Sequence, residues 1–103
     1  GRMLNVDRDL VQQARLQSQA DRKLIDELVE IRKRKEKSEG LTQTDVAVRM
    51  GTKQANVSRL ESGEADVRRR TLRNYALAIG VRIEYTIKDL DAMPAESPAK
   101  ASA

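Results

Sequence analysis

Gly51 lies between two short stretches of helical apolar spacing, and this arrangement constrains the fold more than any other part of the sequence. The apolar residues recur three and four apart on both sides of it: Val46, Ala47 and Met50 before it, Val57 and Leu60 after it. Thr42 is the expected N-cap of the first helix and Thr52 that of the second, while Gly63 ends the pattern. Two capped helices this close together must cross at a steep angle, so residues 41–63 predict an αα-corner with a glycine turn.

The rest of the composition favours helices as well. A chain of 103 residues has room for one compact domain with tails. Its only aromatic residues are two tyrosines, so Leu, Ile, Val, Met and Ala must build the core. Such a core suits short packed helices better than a sandwich of strands, and we expect a mainly all-α fold.

The absence of Cys and His excludes several kinds of chemistry. It removes disulfides, thiol nucleophiles, imidazole bases and the usual zinc ligands, so we expect no enzyme, no metal site and no cofactor. No apolar stretch approaches the roughly 20 residues that span a bilayer, and the N-terminus lacks the apolar segment of a signal peptide. We therefore expect a cytoplasmic protein without membrane contact.

The positive charge is concentrated in the middle of the chain. Residues 22–88 hold 16 of the 20 basic residues but only 10 of the 16 acidic residues. This imbalance favours a polyanionic partner, although a solvated charged surface would explain it equally well.

Two helices are predicted ahead of the αα-corner. Residues 4–20 carry a thin apolar stripe: Leu4, Val6, Leu10, Val11 and Ala14. This helix would pack on the domain, extend the next helix backwards, meet a partner or fray. The second helix, from Arg22 to Lys37, has Asp21 as its expected N-cap and Gly40 beyond its end. The cations in its last turns suit the negative end of a helix and could also meet phosphate: Arg32, Lys33, Arg34, Lys35 and Lys37.

The chain after the corner changes from helical to strand periodicity at Gly80. A further helix is indicated by apolar residues at helical spacing: Leu72, Tyr75, Ala76 and Ile79. An alternating run then predicts one half-buried strand: Val81, Ile83, Tyr85 and Ile87. Because a lone strand cannot satisfy its backbone, we expect it to pair with the same strand of a second protomer. The predicted divisions are an N-terminal helical extension (1–21), a core domain (22–80), a dimerisation strand (81–88) and a disordered tail (89–103).

The segment LTQTDVAVRMGTKQANVSRLESG, followed by TLRNYALAIG, resembles the Cro and repressor (Xre-type) family of helix-turn-helix DNA-binding proteins. The matching residues are Gln43, Ala47, Gly51, Val57 and Leu60. Ala47 must be small because the second helix crosses over it, and Gly51 takes the positive φ of the turn. The resemblance covers residues 22–80 and implies a five-helix lambda-repressor-like domain, completed here by the C-terminal strand.

The resemblance also implies that a recognition helix, at about residues 53–62, lies in the major groove of double-stranded DNA. Gln54 is the first candidate for base readout, since a Gln amide can bond an adenine edge with both of its polar atoms. Arg59 would read guanine or hold phosphate, and Ala55 would offer a methyl contact to thymine. Asn56 and Ser58 lie where base or backbone is reachable. For each of these residues the alternative is an ordinary exposed helix position.

The phosphate candidates flank the recognition helix. Gln43 matches the family's backbone-clamping glutamine at a helix N-terminus, with Thr42, Thr44 and Lys53 in support. Arg68, Arg69 and Arg70 depart from the family pattern, in which an apolar residue is followed by a Ser or Thr cap. Three arginines oppose the dipole at a helix start, so either they hold the DNA backbone or the helix begins later, at Thr71.

The leading functional hypothesis is a homodimeric transcriptional repressor, of bacterial or phage origin and associated with the nucleoid, that reads a palindromic operator. The alternative is an antitoxin that represses its own operon and binds a toxin protein, because a strand directly after the last helix resembles antitoxins of the HigA and HipB kind. A protein adaptor with the same fold is disfavoured by the polar, basic outward face of the recognition helix.

Overall fold

The computed structural model describes residues 6–64 and 66–92, and within these ranges all regular secondary structure is helical. Its elements are α1 (Val6–Glu39), α2 (Gln43–Met50), α3 (Gln54–Ser62), α4 (Arg69–Ala78) and a short 3-10 helix (Leu90–Ala92). The prediction of a mainly all-α chain is confirmed for this part of the molecule. Leu4 and residues 93–103 of the predicted tail lie outside the described residues.

The first element is one helix where the sequence predicts two, so the described part of the chain contains four α-helices and not five. α1 runs through position 21 without a break. Asp21 does not cap a new helix; its carboxylate accepts a hydrogen bond from the Gln17 amide one turn earlier, at 3.1 Å. Such i,i+4 pairs support a helix interior, and the described part of the predicted first helix, residues 6–20, continues directly into the core helix.

The αα-corner forms as predicted, with one exception at the second cap. Thr42 caps α2 in a reciprocal capping box with Asp45, and Gly51 ends the helix at φ 72°. α3 has Lys53 as its N-cap residue, without a side-chain hydrogen bond. The expectation that Thr52 caps α3 is wrong, because the Thr52 hydroxyl instead accepts a hydrogen bond from the Asn56 amide at 2.8 Å.

The core lies where α1, α2, α3 and α4 meet. It contains most of the apolar residues on which the predicted helices rest: Val46, Ala47, Val57, Leu60, Tyr75, Ala76 and Ile79. The other buried apolar residues are Ile25, Leu28, Val29, Leu41 and Ala78. Ala47 is only 3% exposed, in keeping with a position where helices pack closely. Met50 and Leu72 border this core.

Side chains from two other helices complete the C-terminal end of α4. The Lys35 ammonium donates to the Ile79 carbonyl at 2.8 Å, and the Arg49 guanidinium donates to the Ala78 carbonyl at 2.7 Å. Both cations also suit the negative end of the helix dipole. They tie α1 and α2 to the point at which the chain leaves the core.

Beyond Gly80 the chain is neither helix nor strand until residue 90. Val81 and Ile83 pack against the core, whereas Tyr85 is 56% and Ile87 94% exposed. No backbone hydrogen bond joins residues 82–88 to another described part of the chain. The predicted C-terminal strand is therefore not formed within one chain, and its pairing across a dimer stays a prediction.

Candidate nucleic-acid interface

The recognition helix α3 divides cleanly into an inner and an outer face. Val57 and Leu60 are buried against the core. The side chains predicted to read bases lie on the rest of the surface: Gln54, Ala55, Asn56 and Arg59 are exposed, and Ser58 is half-buried. At about 100° per residue, Ala55 and Arg59 point most directly away from the core.

Gln54 lies on the first turn of α3, and its side chain is held in place by a hydrogen bond that it donates to Gln43. Its Nε2 donates to Oε1 of Gln43 at 2.6 Å. The Gln43 Nε2 in turn donates to Oε1 of Glu61 at 2.8 Å. A continuous chain of hydrogen bonds thus runs from an exposed amide at the start of α3 to a carboxylate near the core.

That carboxylate, Glu61, is the centre of a buried polar cluster. Arg32 forms a two-pronged ion pair with it, and the side chains of the pair are only 4% and 6% exposed. The Tyr75 hydroxyl donates to its Oε2 at 2.6 Å. The Arg32 guanidinium also donates hydrogen bonds to the Glu36 carboxylate at 2.7 Å and to the backbone carbonyl of Leu41 at 3.1 Å. Four hydrogen bonds thus hold the Arg32 guanidinium, and the Glu61 carboxylate accepts from three side chains, which is the pairing that a buried charge requires.

The pKa values in this cluster follow from the pairing. Burial raises the pKa of Glu61, but the hydrogen bonds from Arg32, Tyr75 and Gln43 together outweigh burial and bring the pKa below its usual value. Burial and the bond to Glu61 raise the pKa of Tyr75, and the bond to Glu61 raises the pKa of Arg32. The carboxylate is ionised and the phenol is neutral at physiological pH, which fixes the Tyr75 hydroxyl as a donor.

A second set of hydrogen bonds orders the opposite flank of α3. The Arg59 guanidinium donates to the side-chain Oδ1 of Asn56 at 2.9 Å, and the side-chain Nδ2 of Asn56 donates to the Thr52 hydroxyl. Asn56 and Arg59 line a surface groove of about 400 Å³ together with Arg68 and Thr71 from the start of α4. Asp66 also lines it, so this edge of the recognition helix is polar and carries two arginines beside one carboxylate.

The predicted phosphate contacts do not all lie on one surface. Thr44 and Lys53 are exposed, whereas the Thr42 hydroxyl is engaged in the capping box with Asp45. The backbone N–H of Thr42 holds the pKa of Asp45 below its usual range, with further help from the Thr42 hydroxyl. Thr42 therefore sets the start of α2, and Gln43 and Thr44 follow it on the first turn.

The three arginines before and within α4 separate in space. The helix begins at Arg69, not at Thr71, with Arg68 as its N-cap residue. Arg68 lines the groove beside the recognition helix, while the Arg69 guanidinium lies over the Tyr85 ring at 5.3 Å. Arg70 is exposed and points away from the core. With no acidic residue in the first turn of α4, positive charge accumulates at a helix end that already attracts anions.

Sequence reasoning missed the polar cluster around Glu61. Arg32 was grouped with the cations at the end of its helix, and neither Glu61 nor the Tyr75 hydroxyl was given a role. A signal was present, because Arg32 follows Leu28 and Val29 at core spacing and Glu61 follows Val57 at the same spacing. Charged residues of opposite sign at two inward positions indicate a buried ion pair.

The steep pair α2–α3, packed on α1 and α4 with a polar outer face on α3, defines a helix-turn-helix DNA-binding protein. The model of the helix-turn-helix family matches residues 31–85. The chain belongs to this family, that of the Cro and Xre-type regulators, and is a DNA-binding transcription regulator. Comparisons with curated proteins and with solved structures return no match.

The family is a regulatory and not an enzymatic one. Within residues 6–64 and 66–92, none of the helices combines the length and the apolar composition that crossing a bilayer requires.

Proposed function

We propose that this protein is a sequence-specific transcriptional repressor that binds a palindromic operator as a homodimer. The observation that carries the proposal is the Gln54 amide, exposed at the start of the recognition helix and held there by Gln43. An oriented amide at this point of the helix is suited to the major groove, where the N-terminal residues of a recognition helix meet base edges.

The hydrogen bond to Gln43 leaves Gln54 equipped to read a base. One N–H of its amide is used by Gln43, and the second N–H and the carbonyl oxygen remain available. These two groups match the N7 acceptor and the N6 donor of adenine. Ala55 and Arg59, the most outward residues of α3, then face the next base pairs, with a methyl contact to thymine and a bidentate contact to guanine as their natural partners.

The DNA backbone would be held on both flanks of α3. On one flank the N-terminus of α2 presents the backbone N–H groups of Gln43 and Thr44, which the capping box of Thr42 and Asp45 does not use, together with their side chains. On the other flank lie Lys53 and the groove that holds Arg68. Phosphate contacts on the two flanks fix the register of the helix, and base contacts between them supply specificity.

The decisive experiment selects binding sites for the full chain from random duplex DNA and then compares variants on the selected site. We expect Gln54→Ala to lower the discrimination at one base position by about 1–3 kcal/mol and to leave binding to random DNA nearly unchanged. Gln13→Ala is the matched control, because Gln13 is an exposed glutamine far from α3. Equal weakening on selected and random DNA would show that Gln54 does not read a base.

The homodimer is supported by the open backbone of residues 82–88 and by the two exposed apolar side chains there. A second copy would satisfy both, and its two-fold symmetry calls for two half-sites. Footprinting on the selected DNA should reveal inverted half-sites about 34–36 Å apart. A single half-site would rule out the dimeric part of the proposal.

An antitoxin that represses its own operon is the second candidate, and the observation in its favour is the exposed first half of α1. Residues 9–23 make a helical arm with every side chain exposed. The DNA site would be the same in both cases. A small neighbouring gene whose product copurifies with the full chain would decide for the antitoxin.

A further inference from the structure

The first half of α1 is an unpaired extension of a buried helix face. About 18 residues make five turns of an α-helix, so positions 18 apart share a face. Leu10, Val11 and Ala14 therefore continue the face of Leu28, Val29 and Arg32, which is buried in the core. Yet Leu10 is 61% and Val11 55% exposed. The core simply stops short of this part of the helix.

A second exposed apolar surface is formed by the chain after α4, near the same helix. Tyr85 and Ile87 have the alternating spacing of Val81 and Ile83 but reach beyond the core that covers those two. Residues 83–86 form one wall of a groove of about 730 Å³, and residues 17–25 of α1 form the opposite wall. The floor is apolar where Leu24, Ile25 and Leu72 line it.

The wall that α1 contributes to this groove begins at Gln17, so Leu10, Val11 and Ala14 lie further along the same helix, beyond the groove. If the strand 81–87 pairs with its copy, the symmetric partner brings its own Tyr85 and Ile87 alongside, because the two strands run in opposite directions. The wall formed by residues 83–86 then borders the second copy, and the arm that continues from the opposite wall is adjacent to that copy.

We propose that residues 9–23 of α1 are a dimerisation arm whose face formed by Leu10, Val11 and Ala14 packs on Tyr85 and Ile87 of a second copy of this chain. This proposal rests on the dimer of the proposed function and extends it from a backbone pairing to a side-chain interface. A two-stranded ribbon alone is marginally stable in water, and the arm supplies the apolar cover that it lacks. Each protomer contributes one arm and one strand, so the interface is closed and symmetric.

The first test measures dimer dissociation by sedimentation equilibrium with the full chain. We expect Leu10→Gln combined with Val11→Gln to raise the dimer dissociation constant tenfold or more, since two apolar side chains per protomer lose their burial. Leu16→Gln is the matched control. Leu16 is 47% exposed but lies 18 residues before Arg34, on the solvent side of the helix. The control should dimerise like the parent chain.

Folding of the variants is checked separately. All three positions are exposed in one chain, and Gln is a good helix former, so helix content and urea midpoint at low concentration should not change. An unchanged dissociation constant for the double variant, with the parent chain dimeric, would overturn the arm while leaving the dimer of the proposed function standing. A parent chain that is monomeric throughout would overturn both.

The second test locates the contact. The chain has no cysteine, so introduced thiols report on their own positions only. Leu10→Cys and Ile87→Cys are prepared with different tags, mixed, and treated with a short bis-maleimide. We expect a cross-linked species that carries both tags. The same treatment of Leu16→Cys with Ile87→Cys should give little of it.

The cross-linking test has two contrary outcomes. Equal cross-linking of the two pairs would mean that the arm has no preferred face on the partner. If the double glutamine variant dimerises normally but loses a copurifying protein of another kind, the arm serves that protein and the proposal is overturned.

Discussion

Glu61 joins the interior of the domain to its outer surface. It accepts hydrogen bonds from Arg32 and Tyr75 on the inner side and from Gln43 on the outer side. Gln43 in turn accepts a hydrogen bond from the Gln54 side chain. The position of the exposed amide therefore depends on a charge that is almost wholly buried. The ion pair with Arg32 orients the Glu61 carboxylate as well as stabilising its charge, since planar Arg–carboxylate pairs have a fixed geometry.

Removing this carboxylate should destabilise the fold strongly. In Glu61→Ala the Arg32 guanidinium loses its buried partner and keeps only the partly exposed Glu36 carboxylate and the Leu41 carbonyl, while the Tyr75 hydroxyl loses its acceptor. We expect a loss of about 3 kcal/mol in the free energy of unfolding. Urea unfolding measures it. Glu64→Ala, at an exposed position just beyond the end of α3, is the control and should stay within about 0.5 kcal/mol of the parent chain.

The same residue should shape the dependence of stability on pH. Because the folded state lowers the pKa of Glu61, its contribution is complete above about pH 4.3 and is lost as the pH falls through the folded-state pKa. Glu61→Gln removes the titration, so its stability should fall less steeply in acid than that of the parent chain. Parallel profiles for the two proteins would contradict this assignment.

Arg68 and Arg69 provide a second prediction at the scale of single residues. Arg68 lies by the recognition helix, whereas Arg69 covers the Tyr85 ring. We expect Arg68→Ala to weaken all DNA sequences alike and to reduce the slope of log affinity against log salt by about 1. Arg69→Ala should leave that slope unchanged. Equal effects of the two substitutions would place both guanidinium groups on phosphate.

At the scale of elements, the turn between α2 and α3 depends on Gly51. Its φ is +72°, and a Cβ atom there would meet nothing within 4 Å. Gly51→Ala should therefore cost only the backbone strain of the left-handed conformation, about 1–2 kcal/mol. At Gly80, with φ +86°, an added Cβ would lie 2.9 Å from the Lys35 ammonium. Gly80→Ala should cost more, because it also disturbs the Lys35 bond to Ile79.

The urea midpoints of the two glycine variants measure both predicted losses of stability. A Gly51→Ala protein as stable as the parent chain would contradict the strain at the turn. A Gly80→Ala protein no less stable than Gly51→Ala would show that Lys35 moves aside without loss.

The sequence predicted the helices with the strongest local signals. The αα-corner, its Thr42 cap, its Gly51 turn and the inward residues of α2 and α3 all follow from periodicity and capping. The break at Asp21 was wrong because an Asp serves equally well as a cap or as a partner of Gln17 within a helix. The polar cluster could not be assembled, since Arg32, Glu61 and Tyr75 come from three helices whose packing no local pattern gives. Which of the three arginines faces the recognition helix likewise depends on where α4 begins.

At the scale of the whole molecule, the proposed dimer can be tested through its backbone. In an antiparallel pair, neighbouring residues direct their N–H groups alternately toward and away from the partner strand. Of Thr86→Pro and Ile87→Pro, one must therefore remove a hydrogen bond to the second copy. We expect at least one of them to raise the dimer dissociation constant tenfold or more in sedimentation equilibrium.

The domain itself should tolerate these prolines, because both side chains are exposed and lie beyond the residues that pack on the core. Thr86→Ala is the control and should dimerise normally. Two proline variants that dimerise as tightly as the parent chain would exclude pairing through this segment.

Because α1 is unbroken, the direction of the apolar face on its first half is fixed relative to the core. α1 is 34 residues long and contains neither Gly nor Pro, so the angular setting of its first half is inherited from the packing of its second half in the core. One alanine inserted after Ala20 would turn the arm by about 100° and aim its apolar face away from the partner. Seven alanines would return it to within about 20° while lengthening it by about 10 Å. Dimerisation should therefore fail with one added residue and recover in part with seven, because only an insertion close to a whole number of helical turns restores the direction of the apolar face.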